Sequence, residues 1–334
     1  MKDKIDIKFI AGKAQVSPAT VSRVLNKSKA VSPELKSRVL SMIEKYDYRP
    51  NEMARGLIFQ KSNLIGIITP RVANAFNAEL ISQIEKRANQ AHYDVIISNI
   101  SGNFENEKKA FRIMHDRRVD GIILLHENTP EEMAELQRIS DIPIVLASVR
   151  VEGSSLPNVS IDDERAAYEA TRYLIQLRHM KIAGVFSDSY SAGNLRKKGF
   201  LDCLSAQNIA PFALFIGECT FHGGAVIAER ILALQEKPTA VFFISDEMAI
   251  GAINYFQDHR VRVPEDISVF SFDDIELASY VRPRLSTVHQ PVREIGQYAT
   301  EMLLALIEKR PLYQPQQILP HHVIIRDSCA ALEN

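Results

Sequence analysis

From residue 63 onward, short apolar runs alternate with helix-length segments, and this alternation leaves few folds open. The runs at 64–69, 93–98, 121–125, 144–147, 182–187, 240–245 and 267–272 are apolar nearly throughout. A strand with one wet face alternates apolar and polar residues. A strand apolar on both faces is covered on both faces, the condition of parallel sheets whose crossovers are helices. Helical patterns over about 77–91, 105–117, 163–178, 194–208, 223–235 and 247–258 separate most of the runs. Two successive sets, 63–161 and 162–290, predict an α/β body of two doubly wound parallel-sheet subdomains. A final helix over 292–309 and a last strand near 317–326 are expected to cross back between them. Ligands bind such sheets outside the carboxyl ends of the strands, so a cleft between the subdomains is the expected site.

The first 62 residues follow other rules. A chain of 334 residues exceeds one ordinary core and calls for two or three domains. Residues 6–46 read as three short helices. Asp6 can cap the first, and Ile7, Ile10, Ala11 and Ala14 give it an apolar stripe. Ser17-Pro18 and Ser32-Pro33 each pair an N-cap hydroxyl with a proline at N1, where the missing N–H costs nothing. Val21, Val24 and Leu25 face inward on the second helix; Leu35, Val39, Met42 and Ile43 do so on the third. Residues 51–57 make barely two helical turns, weakened by Gly56, and read as a hinge that orders on a partner. The expected division is a head over 1–47, a hinge over 48–62, one subdomain from 63–161 with 291–320, and another from 162–290 with 321–334.

Charge separates the same regions. Residues 1–61 carry 13 Lys and Arg against 6 Asp and Glu, while the remainder carries 27 against 35. A basic head on an acidic body points to a polyanion at the head, although a solvated basic surface also produces such an excess. Cys203, Cys219 and Cys329 lie far apart with no CxxC, which argues against a disulfide framework or a structural zinc. The opening Met-Lys-Asp-Lys-Ile-Asp has no apolar signal core, and no run of 18 apolar residues occurs, so a cytoplasmic, nucleoid-associated protein is expected. No GxSxG, HExxH, P-loop or strand-following GxGxxG is present, and the His residues do not cluster at ligand spacing. Neither an enzyme, a metal site nor a cofactor is expected.

The stretch Val16-Ser-Pro-Ala-Thr-Val-Ser-Arg-Val-Leu-Asn26 is the most informative in the chain. Its helix turns Pro18, Ala19, Ser22 and Arg23 outward. A helix entering the major groove of DNA wants small residues at its front for close approach and an Arg that can take guanine O6 and N7 through two donors. Thr20 and Asn26 suit phosphate contacts, which fix register, and Ser17 at the helix start belongs to the same DNA-binding set. A three-helix bundle with no nucleic acid fits the helix pattern alone equally well.

At these residues the chain resembles the LacI/GalR family of bacterial transcription repressors. The matching elements are Val16-Ser17, Thr20 through Asn26, Val31-Ser32, Val39, and Tyr48-Arg-Pro-Asn51 with Ala54-Arg55 and Leu57. Later matches include Asn74-Ala-Phe76, Asp120-Gly-Ile-Ile, Ile161-Asp162-Asp163, Arg196-Lys-Lys-Gly199-Phe200, Asp246 through Gly251, Phe272-Asp273-Asp274 and His289-Gln290-Pro291. The resemblance implies a helix-turn-helix head on a periplasmic-binding-protein-like body. It implies a homodimer on a near-palindromic DNA operator, controlled by a small-molecule effector. Asn51, Ala54 and Arg55 would meet DNA beside Leu57, which in relatives wedges into the minor groove and kinks the duplex. Three departures stand out. Gln15 replaces the usual Gly in the turn before the reading helix, so a reshaped turn is expected. Lys8-Phe9 replaces a polar-Asp pair, and Arg178-His179 a Gly-His.

The resemblance also marks the cleft. Arg196 matches an Arg that holds ligand hydroxyls or anionic groups, and Asp273 an acid that accepts from sugar hydroxyls. Asn74 belongs with them; Phe76 and Phe221 are candidate stacking walls, and Ser245 and Asp162 line the opposite side. Each has a plainer reading: a structural ion pair for Arg196, a cap for Asp273, core packing for the Phe residues. Lys197 and Lys198 suit either a phosphorylated ligand or a solvated helix face. A sugar or sugar phosphate is the expected effector, ahead of a purine or nucleoside.

Overall fold

The computed structural model describes residues 5–26, 31–48, 61–101, 103–126, 128–150, 154–187 and 191–332. Two compact units divide the chain, residues 1–62 and 63–334.

The first unit holds α1 (Ile7–Lys13), α2 (Pro18–Asn26) and α3 (Pro33–Lys45). Each starts on a side-chain oxygen that accepts an otherwise unpaired N–H: Asp6 from Phe9 at 2.8 Å, Ser17 from Thr20 at 3.1 Å, Ser32 from Leu35 at 3.4 Å. Ile10, Ala11, Ala14, Val21, Val24 and Val39 form the core, flanked by half-buried Val16, Leu25, Met42 and Ile43. Between α1 and α2 the chain turns at Gln15 with φ 51°. Gln15 thus takes the left-handed conformation that glycine would hold at lower cost. Its carbonyl accepts from Arg38 Nη2 at 3.4 Å. Phe9 packs edge-on against the Tyr46 ring at 5.1 Å, so this departure replaces a polar position with a core contact.

The second unit contains two six-stranded sheets. The first comprises β1 (Leu64–Thr69), β2 (Asp94–Asn99), β3 (Gly121–Leu124), β4 (Ile144–Ala147), β5 (Asn158–Ile161) and β11 (Gln316–Leu319), in the order β11-β5-β4-β3-β1-β2. The second comprises β6 (Ile182–Phe186), β7 (Ala213–Ile216), β8 (Ala240–Phe243), β9 (Ser268–Asp273), β10 (Ser286–His289) and β12 (His322–Ile324), in the order β12-β10-β9-β8-β6-β7. Every pairing is parallel except β10 with β12. The central strands are buried along their whole length, as their unbroken apolar runs require. Around the sheets lie α4 (Ala75–Gln90), α5 (Phe104–Asp116), α6 (Pro130–Ile139), α7 (Asp163–Gln176), α8 (Ser191–Ala206), α9 (Phe221–Leu232), α10 (Asp246–Asp258) and α11 (Val292–Ile307). The expected single last strand is two, broken at Pro320, which cannot continue a ladder. Its first half joins one sheet and its second half the other. The chain thus passes between the sheets three times: after β5, after β10, and between β11 and β12.

In each sheet the strand order reverses beside the first strand, β1 against β3 and β6 against β8. Loops leaving the carboxyl ends there diverge and open a crevice.

Candidate nucleic-acid interface and ligand cleft

On α2, Ser17, Pro18, Ala19 and Arg23 are exposed, Thr20 and Ser22 half-buried, and Val21 and Val24 buried. The helix presents small residues at its front and a cation one turn on, above an apolar anchor. Ser17 Oγ and Thr20 Oγ1 lie 3.0 Å apart, so both hydroxyls are also tied into the helix start. Asn26 closes α2; its side chain, with all of Asn51, Ala54, Arg55 and Leu57, lies outside the described residues. The described basic side chains of this unit include Lys8, Lys13, Lys36 and Lys45, all exposed.

In the second unit, loops from both sheets line a small cleft, partly open to solvent. Asn74, Phe76, Leu125 and Ser148 line it from the first sheet's side, and Arg196, Cys219, Ser245 and Asp273 from the second's. Asn74 and Ser245 are N-caps, accepting from Asn77 N at 3.0 Å and Met248 N at 3.4 Å. Two helices therefore begin at this crevice, and their first residues are fixed by the same oxygens that face it.

Arg196 lies at the centre and is buried. Its Nε donates to Asp163 Oδ1 at 2.7 Å, and its Nη1 to the Ile244 carbonyl at 2.7 Å and Asp273 Oδ1 at 3.3 Å. The guanidinium stacks on the Phe272 ring at 3.7 Å. Gln290 Nε2 also donates to Asp273 Oδ1, at 2.8 Å, and Ser148 Oγ donates to Gln290 Oε1 at 3.2 Å, joining the two sheets through one amide. Gly199 explains how Arg196 arrives here: a Cβ at that position would stand 2.0 Å from the Glu164 carbonyl oxygen. Only a bare backbone lets α8 close on α7 and bring Arg196 to Asp163.

Burial pushes the Asp273 carboxyl upward, and the Arg196 charge opposes it. Asp246, wholly buried, is raised by burial and by the charge of Asp273. Thr287 Oγ1 at 2.7 Å, Ile275 N at 2.8 Å and Ser271 Oγ donate to it and pull the other way. For Arg196, burial opposes the charge, and Asp163 and Asp273 more than offset it.

Of the residues expected at the cleft, Asn74, Phe76, Arg196, Ser245 and Asp273 line one cavity. The structure places the other two elsewhere. Asp162 is exposed and caps α7 through Arg165 N at 2.9 Å. Its neighbour Asp163, first residue of the helix, points inward to Arg196. Phe221 is 39% exposed at the start of α9 and is not among the residues that line the cavity. Sequence reasoning missed Arg71 and Glu247. Arg71 donates Nη2 to Glu247 Oε2 at 2.9 Å and Nη1 to the Cys219 carbonyl at 2.6 Å. Glu247 Oε1 accepts from Ala75 N at 2.9 Å. The signal was an Arg in the loop after β1, uncommitted to any motif.

Comparison with known proteins agrees with this geometry. The model for bacterial regulatory proteins of the lacI family matches residues 6–51, and that for a periplasmic binding protein-like domain matches residues 171–329. Catabolite control protein A of Priestia megaterium is 37% identical over 328 residues, covering 97% of this chain and 99% of its own. The HTH-type transcriptional repressor PurR of Vibrio atlanticus is 34% identical, covering 91% and 92%. Among solved structures, the lac repressor dimer bound to operator and the anti-inducer ONPF superposes with a TM-score of 0.91 at 27% identity, covering 98% and 100%. A LacI family transcriptional regulator from Enterococcus faecium with bound ribose gives 0.71 at 26%, covering 81% and 100%. These relatives are transcriptional regulators and not enzymes, and over nearly its whole length the chain belongs with them to the lacI family of bacterial regulatory proteins.

Proposed function

We propose that this protein is a sequence-specific transcription repressor of carbohydrate-related genes, acting as a homodimer on a near-palindromic operator in the cytoplasm. The exposed face of α2 carries the reading: Ser17, Pro18, Ala19 and Arg23 stand free of a core that buries Val21 and Val24. Arg23 reads a guanine edge, and Ser17 and Thr20 with Asn26 hold phosphates. Asn51, Ala54, Arg55 and Leu57 add hinge contacts, with Leu57 as the wedge. Pairing of two copies is supported by apolar residues left exposed on one edge strand of each sheet, Ile97 on β2 and Leu214 and Ile216 on β7.

The cleft around Arg196 and Asp273 takes the effector, a sugar or sugar phosphate. A ligand that favours one closure of the cleft shifts operator affinity by its differential affinity for the two states and no more. The PurR relatives favour a second reading, a purine or nucleoside in the same cleft.

The test is selection of random duplexes by the purified protein at about 0.15 M salt, with and without sugars, sugar phosphates and nucleosides. Enrichment of a near-palindrome, changed by one compound class, is expected. No enriched sequence under any condition would remove the repressor reading.

A further inference from the structure

The loop after β1 carries a charged side chain to the margin of the cleft and commits it to the opposite sheet. Arg71 belongs to the first sheet's side. The groups it holds belong to the second's: Glu247 at the start of α10, at 2.9 Å, and the Cys219 carbonyl after β7, at 2.6 Å. The loop itself is fixed, because the Arg71 carbonyl accepts from Asn74 N and Asn77 Nδ2, both at 3.2 Å. Glu247 in turn reaches back. Its Oε1 accepts at 2.9 Å from the N–H of Ala75, the first residue of α4, where an unpaired N–H and the helix dipole favour an anion. Three hydrogen bonds, each with one charged partner, thus run between the two sides beside the cleft-lining Asn74 and Cys219.

Burial gives this contact its strength. The Glu247 side chain is 2% exposed and that of Arg71 35%. A carboxylate so far from water is stable only while its cation and its N–H donor stay in place. Moving the two sides apart gives up all three bonds at once. The bonds form between protein groups alone, so they need no occupant in the cleft.

We propose that Arg71 and Glu247 form a latch that holds the cleft in its narrow form without any effector, so that a ligand enters through the minority of molecules in which the latch is undone. Apparent affinity is lowered by that fraction. The consequence for an effector rests on the reading of the cleft as the effector site; the latch itself does not.

Cys219 allows a test with no effector present. Its thiol lies beside Ser245 in the cleft, and burial pushes it up to about 11, so it is a poor nucleophile while the cleft stays narrow. Alkylation of the full-length protein by iodoacetamide, followed peptide by peptide in a mass spectrometer, reads Cys219 against the buried Cys203. Glu247→Ala leaves the bond from Arg71 to the Cys219 carbonyl intact, and should quicken Cys219 roughly 10-fold or more with Cys203 unchanged. Arg71→Ala should do the same. Arg71→Lys, a point charge that cannot serve Glu247 and the Cys219 carbonyl together, should fall between Arg71→Ala and the unaltered protein. An unchanged Cys219 rate in both alanine variants would overturn the latch and leave the effector-site reading untouched. A rise shared equally by Cys203 would assign the pair to general stability and overturn it as well.

Discussion

The head and the body bury their residues for different ends. The head folds around six fully buried apolar residues and keeps its polar groups outside, where Arg23 and the front of α2 meet solvent. The body has core to spare and buries charges within it: Arg196, Asp163, Asp246, Asp273 and Glu247 are all nearly inaccessible. A recognition surface for a large polyanion works exposed, with side chains that lose little on leaving water. A site for a small polar molecule works enclosed, where each hydrogen bond is stronger and each unpaired charge more costly. One chain holds both environments because their cores are separate.

That contrast can be broken most forcefully in the body. Phe242 is fully buried and stacks on Phe200 at 5.8 Å. Phe242→Ala should cost about 3–5 kcal/mol. Calorimetry should show the body's transition falling while the head's stays in place; a joint shift would mean that the two units melt as one.

Glu107 gives the next largest effect. It is fully buried on α5, with Asn128 Nδ2 donating to Oε1 at 2.9 Å and Oε2 unpartnered among the described residues. Burial raises its pKa to about 7. An acid raised on folding stabilises fully below the ordinary glutamate range, and that stability is lost as pH rises through about 7. The pH-dependent contribution is about 3 kcal/mol. Denaturant titrations from acid to neutral pH should show the loss, and Glu107→Gln should flatten it. A slope unchanged in Glu107→Gln would place the titration elsewhere.

In the head, Arg23→Ala should remove about 1–3 kcal/mol of base discrimination while salt-sensitive general DNA affinity persists. Competition between operator and scrambled duplex measures it, and unchanged preference would remove α2 from the reading role. The smallest effect is expected at the turn before it. Gln15→Gly should relieve a left-handed side chain and stabilise the head by under about 1 kcal/mol, offset in part by a freer unfolded chain. A lower melting temperature would show that the Gln15 side chain contributes to the head's stability.

Sequence pattern disclosed what is locally encoded. The central strands announce themselves because both faces are buried, and the head's helices because caps and prolines mark their starts. β5, β7 and β10 escaped because Asn158, Ser160, Ser286 and Thr287 interrupt the apolar pattern yet are buried, and because β7 is an edge strand with alternating exposure. α6 escaped although Thr129 and Glu132 form a capping box that the sequence displays. At the cleft, Asn74, Phe76, Arg196 and Asp273 stand on motif positions, and Ser245 directly precedes one. Asp162 and Asp163 are indistinguishable as letters; which one faces Arg196 depends on where the helix starts, a matter of one residue. The Arg71–Glu247 pair spans 176 positions and has no local signature.

The three passages of chain between the sheets have a mechanical consequence. Two plates joined by one thread can swing, twist and slide. Joined by three threads lying side by side, they behave as a flexure, stiff to torsion and shear and soft only to bending about the line of the threads. Gln290 lies in one of those threads and holds Ser148 on one plate and Asp273 on the other. Whatever molecule fills the gap, the body can convert its presence into a single quantity, the angle at which the flexure rests.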